Sequence, residues 1–196
     1  MIRNRSGAKM TNDKRRMTEG SVYLVLFCLT IPAANWMIGH FGSVCPPNGP
    51  CLIPVAPGIM APSGVLMIGV ALVLRDLVQR RLGVEFGIAA IIAGAVLSMG
   101  FSPRSLVVAS AAAFLLSELA DFAVYTPLAR QRLVLAVVAS SMVGLVVDSL
   151  VFLLMAFGSL EFLPGQVIGK AWMVLLSIPF VAYLRRRDER LGITAV

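Results

Sequence analysis

Six long apolar segments follow one another along this chain, and they constrain its fold more than any other feature. A helix needs about 20 apolar residues to cross the hydrocarbon core of a bilayer. Hydrophobic residues make up 58% of the 196 residues, charged residues 14%, and the mean hydropathy is +0.87. An ordinary soluble domain is thereby excluded. We predict an all-α integral membrane protein with six transmembrane helices near residues 21–41, 63–81, 86–101, 105–125, 132–157 and 164–184.

Local signals mark the ends of three helices. Ser63 follows a proline and suits the N-cap of the second helix. Pro127 lacks a backbone donor and is expected to stop the fourth. Pro164 suits the first turn of the sixth, where a missing N–H costs nothing. These signals support the boundaries given above.

The basic residues predict the orientation. They cluster at segment ends, so the formal net charge of +7 indicates membrane topology rather than a nucleic-acid interface. With a cytoplasmic N-terminus, the outer side receives only Arg104. The inner side receives the basic N-terminal tail and Arg75, Arg80, Arg81, Arg130, Arg132, Arg185, Arg186, Arg187 and Arg190. We predict a multi-pass protein of the cytoplasmic (inner) membrane with both termini cytoplasmic.

Basic tails flank the helices. The first twenty residues are too long for the charged part of a signal peptide, and no cleavage site follows the first apolar run. We expect a disordered cytoplasmic tail over residues 1–20, a transmembrane domain over residues 21–184 and a basic cytoplasmic tail over residues 185–196.

The longest outer loop contains the run CPPNGPC, from Cys45 to Cys51. On the outer side of the membrane a structural disulfide is favoured over two free thiols. Five intervening residues without a nearby histidine give little support to a metal site. His40 is interpreted as an interfacial side chain, and no metal or cofactor is expected.

Asp148 and Lys170 stand inside neighbouring apolar segments, where an isolated charge is costly. At a rise of about 1.5 Å per residue, both fall in the outer half of the membrane, so we predict that they pair. Polar and aromatic residues at a similar depth join them. The predicted substrate-binding layer comprises Asn35, Trp36, Asp148, Gln166, Lys170 and Trp172.

A second polar layer is predicted in the inner half. Asp76 lies near the end of the second helix, and Glu118 and Asp121 share one face of the fourth. Two close carboxylates in a low dielectric cannot both ionise cheaply, so one should be protonated or matched by Arg75 or Arg80. The alternative is that these acids reach the interface and pair there.

Small residues recur every four positions on three helices, and the series on the fifth and sixth bear on the site. Gly165 and Gly169 form a G-x-x-x-G pattern, and Ser140, Gly144 and Asp148 repeat at the same spacing. The second series leaves little side-chain bulk above Asp148. Such a face receives another helix or leaves room for a ligand.

Four motifs together resemble the VUT family, the putative vitamin uptake transporters, which includes queuosine precursor transporters. They are LVLRDLVQRRLG at residues 72–83, SELAD at 117–121, G-x-x-x-D at 144–148 and GQVIGK at 165–170. The resemblance covers about residues 21–184. It implies a six-helix fold similar to the S components of energy-coupling factor transporters, and import of 7-cyano-7-deazaguanine and/or 7-aminomethyl-7-deazaguanine.

The resemblance also implies roles for single residues. The family aspartate of helix two corresponds to Asp76, with Arg80 and Gly83 following. The remaining positions correspond to Asn35, Glu118, Asp121, Asp148 and Lys170. This chain departs from the family pattern at Leu145, Val147 and Gln166, where polar or acidic residues occur in other members. The departures leave the identity of the substrate open.

A guanine-like base fits the polar layer chemically. Asp148 would accept hydrogen bonds from its ring N–H and exocyclic amine. Its carbonyl oxygen would accept from Lys170, Gln166 or Asn35. Its faces would stack on aromatic rings, for which the candidates are Trp36, Trp172 and Phe152.

Three functions stay open. The first is a solitary secondary transporter in which Glu118, Asp121 or Asp76 exchanges a proton, and the absence of an A-x-x-x-A pattern in helix one favours it. The second is an S-component-like subunit that needs an ATPase module. The third is a non-transporting assembly or anchoring subunit. We do not expect an enzyme. The lipid bilayer is an expected partner and nucleic acid is not, and a homodimer is left open.

Overall fold

The computed structural model describes residues 3–47, 50–101 and 107–191, and it confirms the predicted all-α class. Within these residues, six helices and one short β-hairpin follow one another. The elements in chain order are α1 Arg3–His40, β1 Leu52–Ala56, β2 Ile59–Pro62, α2 Val65–Leu82, α3 Val84–Phe101, α4 Val107–Ala129, α5 Leu133–Phe157 and α6 Leu163–Leu191.

The central helix of the bundle is α2. It packs against each of the other five helices, and its residues Leu72, Leu77 and Val78 are buried. The other five are long and apolar enough to cross a membrane, whereas α2 carries four charged side chains. On the outer surface, Val25 and Ile92 expose 58% and 57% of their area. Charges inside and apolar side chains outside characterise a multi-pass membrane protein.

The connection between α1 and α2 contains a hairpin that sequence reasoning missed. Its strands pair antiparallel, with Leu52 opposite Pro62. Cys45 and Cys51 form the expected disulfide, and the Cys51 N–H donates to the Ile38 carbonyl at 2.8 Å. The disulfide therefore closes the loop at the base of the hairpin, and the hydrogen bond fixes that base to the last turns of α1. We call this end of the bundle the hairpin end.

The opposite end, which we call the arginine end, is held by ion pairs between α1, α2 and α6. Glu19 binds Arg81 at 2.9 Å and Arg187 at 2.6 Å. Asp188 binds Arg80 at 2.9 Å and Arg81 at 2.8 Å. These two acids therefore join the N-terminal, central and C-terminal helices.

The helices extend into both predicted tails. The expectation of disorder over residues 1–20 is corrected from Arg3 onward, because α1 is helical there. Helix α6 continues past the expected end at residue 184 to Leu191. Ion pairs at the arginine end give both extensions tertiary partners. Residues 1–2 and 192–196, and the predicted outer residue Arg104, lie outside the described residues.

Two predicted helix ends are corrected. The Ser63 hydroxyl donates to the Met37 carbonyl of α1 at 2.8 Å, and the cap position of α2 is Gly64. Pro127 lies inside α4, which ends two residues later at Ala129. A proline in the last turn removes one backbone hydrogen bond without interrupting the preceding turns.

Two glycines of α6 allow the hairpin to approach closely. A Cβ on Gly165 would collide with the Met60 carbonyl oxygen and lie 3.3 Å from the Ala61 Cβ. A Cβ on Gly169 would lie 2.6 Å from a methyl group of Val65. The G-x-x-x-G spacing therefore serves contact with the hairpin and with the start of α2.

Replacing Gly165 by alanine is expected to destabilise the protein, because the added methyl group overpacks the contact with the hairpin. We expect a loss of about 1–3 kcal/mol. The matched control is Gly39→Ala, since a Cβ at that helical position meets no atom within 4 Å. That change should be neutral or stabilising by up to about 1 kcal/mol. Thermal unfolding of the purified variants measures both, and equal melting temperatures would refute the close contact.

Candidate functional site

The ammonium group of Lys170 is the centre of a polar cluster between α5 and α6. The side chain is 1% exposed. Its Nζ lies 2.5 Å from Asp148 Oδ2, 2.8 Å from Ser149 Oγ and 2.9 Å from Gln166 Oε1. An ammonium has three N–H donors, so these three acceptors use all of them. We call these four residues the lysine cluster.

The fold places the lysine cluster beneath the hairpin. Gln166 and Lys170 stand one turn apart on α6, on the helix that carries the close glycine contacts. The Trp172 indole N–H donates to the Val55 carbonyl of β1 at 2.9 Å. The backbone of Lys170 also lies against Gly69 of α2, where a Cβ would be 2.8 Å from the Lys170 carbonyl oxygen. The hairpin, α2 and α6 therefore hold this part of the site together.

Three predicted members of the substrate layer make their polar or ring contacts outside the lysine cluster. The Asn35 amide donates to the Ile31 carbonyl of its own helix at 3.0 Å. Trp36 is 58% exposed and stacks on His40, and Trp172 is 51% exposed. Helix α1 packs mainly on α2 and α3 rather than on α5 and α6. The expected convergence of helices one, five and six is therefore corrected: of these three helices, the polar contacts of the lysine cluster join α5 and α6.

A second cluster surrounds Arg75 deeper in the bundle, and we call it the arginine cluster. The guanidinium lies 2.9 Å from Asp76 and 3.0 Å from Glu118, and it also contacts Asp121 directly. All four side chains are at least 98% buried. The expected partnership of Arg75 with the acids of α4 is therefore present. Burial also argues against the alternative in which Asp121 reaches the interface.

The arginine cluster has an excess of acids. One guanidinium faces the three carboxyl groups of Asp76, Glu118 and Asp121. Full ionisation would leave two uncompensated negative charges in a buried, low-dielectric site, which is costly. Arg80, the other expected cation, does not supply the balance, since it binds Asp188 at the arginine end.

One face of α5 connects the two clusters. Ser140 donates to Asp76 Oδ2 at 3.1 Å, and Asp148 binds Lys170 two turns later. Between them, Gly144 lies against Asp121: a Cβ there would be 3.1 Å from the aspartate Cβ. The face of α5 with small residues therefore packs against α4 and α2. The same face brings Ser140 to the arginine cluster and Asp148 to the lysine cluster.

Sequence reasoning missed several polar residues that belong to these clusters or contact them. Ser149 accepts from Lys170, and Ser140 donates to Asp76. Gln79 accepts from Arg75 at 3.3 Å and donates to Thr126 at 3.1 Å. For Ser149 and Gln79 the available signal was a neutral polar residue next to, or one turn from, a buried charge, since buried charges need several hydrogen bonds. Ser140 has no charged residue within one turn, so no such signal was available for it.

Comparison with known proteins identifies one matching family. Residues 95–184 match the family described as "Putative vitamin uptake transporter". The matched region contains Glu118, Asp121, Asp148 and Lys170, whereas Arg75 precedes it. No curated protein and no solved structure matches the chain.

Proposed function

From the chain's membership of the putative vitamin uptake transporter family, we propose that it imports queuosine precursors as a solitary secondary transporter. The cargo is 7-cyano-7-deazaguanine and/or 7-aminomethyl-7-deazaguanine. At the coarser level the protein is a multi-pass membrane transporter of the vitamin-uptake type.

The main observation behind this proposal is that the ammonium group of Lys170 is fully hydrogen-bonded. Its three N–H groups are all bonded, to Asp148, Ser149 and Gln166. A ligand can bind there only by replacing some of these bonds, so the lysine cluster in this arrangement is a closed site. A solute that offers equivalent donors and acceptors compensates for the bonds that it breaks.

A deazaguanine ring supplies such a set. Its N–H and exocyclic amine donate to the two oxygens of Asp148, and its carbonyl oxygen accepts from Lys170. The amide of Gln166, which already bonds Lys170, turns to donate to the same edge. The buried aspartate then keeps two donors after it releases the lysine.

The arginine cluster supplies coupling in this proposal. Asp76, Glu118 and Asp121 share one guanidinium, so proton binding can neutralise the two excess negative charges. Asp148 of the lysine cluster interacts electrostatically with Glu118. A solute that changes the charge around Asp148 therefore changes the cost of ionising the second cluster.

We assign the arginine end to the cytoplasm and the hairpin end to the outer side of the inner membrane. The basic residues at the arginine end, including Arg80, Arg81 and Arg187, support this by the positive-inside tendency. The disulfide between Cys45 and Cys51 supports an oxidising compartment at the other end.

Direct binding to the purified protein tests the cargo. We expect 7-cyano-7-deazaguanine to bind and 7-deazaadenine not to compete, because the adenine edge presents a ring acceptor where Asp148 needs a donor. Uptake into liposomes that contain this protein alone, with and without a pH gradient, tests the mechanism. Binding without uptake would favour a subunit that needs an ATPase module, and absence of both would refute the proposal.

A further inference from the structure

A cleft opens at the arginine end between α2 and α4. Its empty space, solvent opening included, is about 320 Å³. The lining residues are Gln79, Arg80, Val84, Tyr125, Thr126, Ala129 and Arg130. The two arginines place its mouth at the basic end of the bundle, and its polar side chains suit water.

Two residues of the cleft wall also contact the arginine cluster. Gln79 accepts from the Arg75 guanidinium on one side and donates to Thr126 on the other. The Tyr125 ring lies 5.8 Å from the guanidinium carbon of Arg75. These side chains therefore separate the cleft from the three carboxyl groups by a single layer.

The hydroxyl group of Tyr125 is buried without a hydrogen bond to any described residue. It interacts electrostatically with Asp76 and Asp121. A buried hydroxyl normally finds a partner, and leaving it without one is costly. A water molecule in the cleft would supply the partner, and the hydroxyl can then accept one proton and pass on another.

We propose that this cleft is the route by which protons exchange between water at the arginine end and the carboxyl groups of Asp76, Glu118 and Asp121. In each exchange a proton leaves water for a carboxylate, or returns from the acid to water, and Tyr125 is unchanged. Gln79 forms the barrier that keeps bulk water from Arg75. This proton route rests on the proposed function only for its purpose, which is to couple transport to protons.

The charged and titratable groups around the three carboxyl groups lie on helices α2, α4, α5 and α6. Helix α2 contributes Arg75, and Arg80 interacts electrostatically with Tyr125 of α4. Helix α5 contributes the hydroxyl of Ser140 and, through Glu118, the charge of Asp148. The charge of Asp148 is itself matched by Lys170 of α6. Among these groups one cation, Arg75, directly contacts three acids, so at least one exchangeable proton is expected at neutral pH.

Infrared spectroscopy of the full-length protein in lipid, without any solute, tests the route. The wild type should show the carbonyl band of a protonated carboxyl group, and Asp121→Asn or Glu118→Gln should remove or shift it. The control Glu85→Gln alters an exposed acid and should leave the band unchanged. After transfer to heavy water, the shift of the band gives the rate of exchange.

Opposite changes in that rate are expected for the two wall residues. Tyr125→Phe removes only the hydroxyl and should slow exchange roughly tenfold, as a rise of about 1.4 kcal/mol in the barrier gives. Gln79→Ala opens the wall and should accelerate it. The control Tyr183→Phe changes a tyrosine that is 61% exposed and should have no effect.

The outcomes separate this proposal from the proposed cargo. An absent carboxyl band, or a rate unchanged in both Tyr125→Phe and Gln79→Ala, overturns the route. Normal exchange in a protein that neither binds nor transports deazaguanines supports the route and refutes the cargo alone. If Asp121→Asn fails to fold, Glu118→Gln provides the assignment of the band.

Discussion

Lys170→Met is expected to abolish binding and uptake of the solute and to destabilise the protein. The substitution keeps an unbranched apolar stem but removes the ammonium that bonds Asp148, Ser149 and Gln166. Asp148, with a side chain only 13% exposed, is then left without its cation. Removing one partner of a buried ion pair costs about 3–5 kcal/mol. Thermal unfolding and solute binding of the purified variant measure the two effects.

A double variant separates the two roles of this pair. Asp148→Asn combined with Lys170→Met removes both charges, so the free energy of unfolding should recover most of the loss. Uptake should stay absent, because the groups that bind the solute are still missing. The control Lys14→Met alters an exposed lysine and should change neither property. Recovery of uptake in the double variant would show that the pair only fixes the packing of α5 against α6.

The pairing of Asp148 with Lys170 could be predicted because its causes are local. Each charge is costly alone in an apolar segment, and the two helices are consecutive with a short connection, from Gly158 to Phe162. Their similar depth along the two helices was then sufficient to predict that they meet. The same depth argument failed for Asn35, because depth does not fix the rotation of a helix about its axis. Helix α1 turns that residue toward its own backbone instead.

The ion pairs of the arginine end were missed for a different reason. Asp188 stands within the run RRRDER, which resembles a solvated tail, and Glu19 stands in an equally basic region. Neither sequence shows that the helices α1 and α6 continue far enough to bring these acids to Arg81. The β-hairpin was missed because its strands are short and two prolines, Pro54 and Pro62, weaken the strand signal. Tertiary contacts with α6 stabilise it instead.

Arg75→Met is expected to have the largest effect on stability of any single substitution. It removes the cation shared by Asp76, Glu118 and Asp121 and leaves three buried carboxyl groups together. The expected loss is at least the roughly 3–5 kcal/mol of one broken buried pair, a large part of the 5–15 kcal/mol that holds a typical domain folded. Denaturation of the purified variant measures it, and Arg132→Met, at an exposed position, is the control.

The pH dependence identifies the cause of that loss. Protonated acids need no cation, so the deficit of Arg75→Met should shrink as the pH falls and grow as it rises. Arg75→Lys should recover only part of the stability, because one ammonium cannot reproduce the planar fork that reaches three acids and Gln79. The double variant Arg75→Met with Glu118→Gln should be more stable than Arg75→Met alone. Glu118→Gln removes one of the charges left without a cation and keeps a hydrogen-bonding group. A deficit that is independent of pH would mean that Arg75 acts through its packing against Phe122 and Tyr125 rather than through its charge.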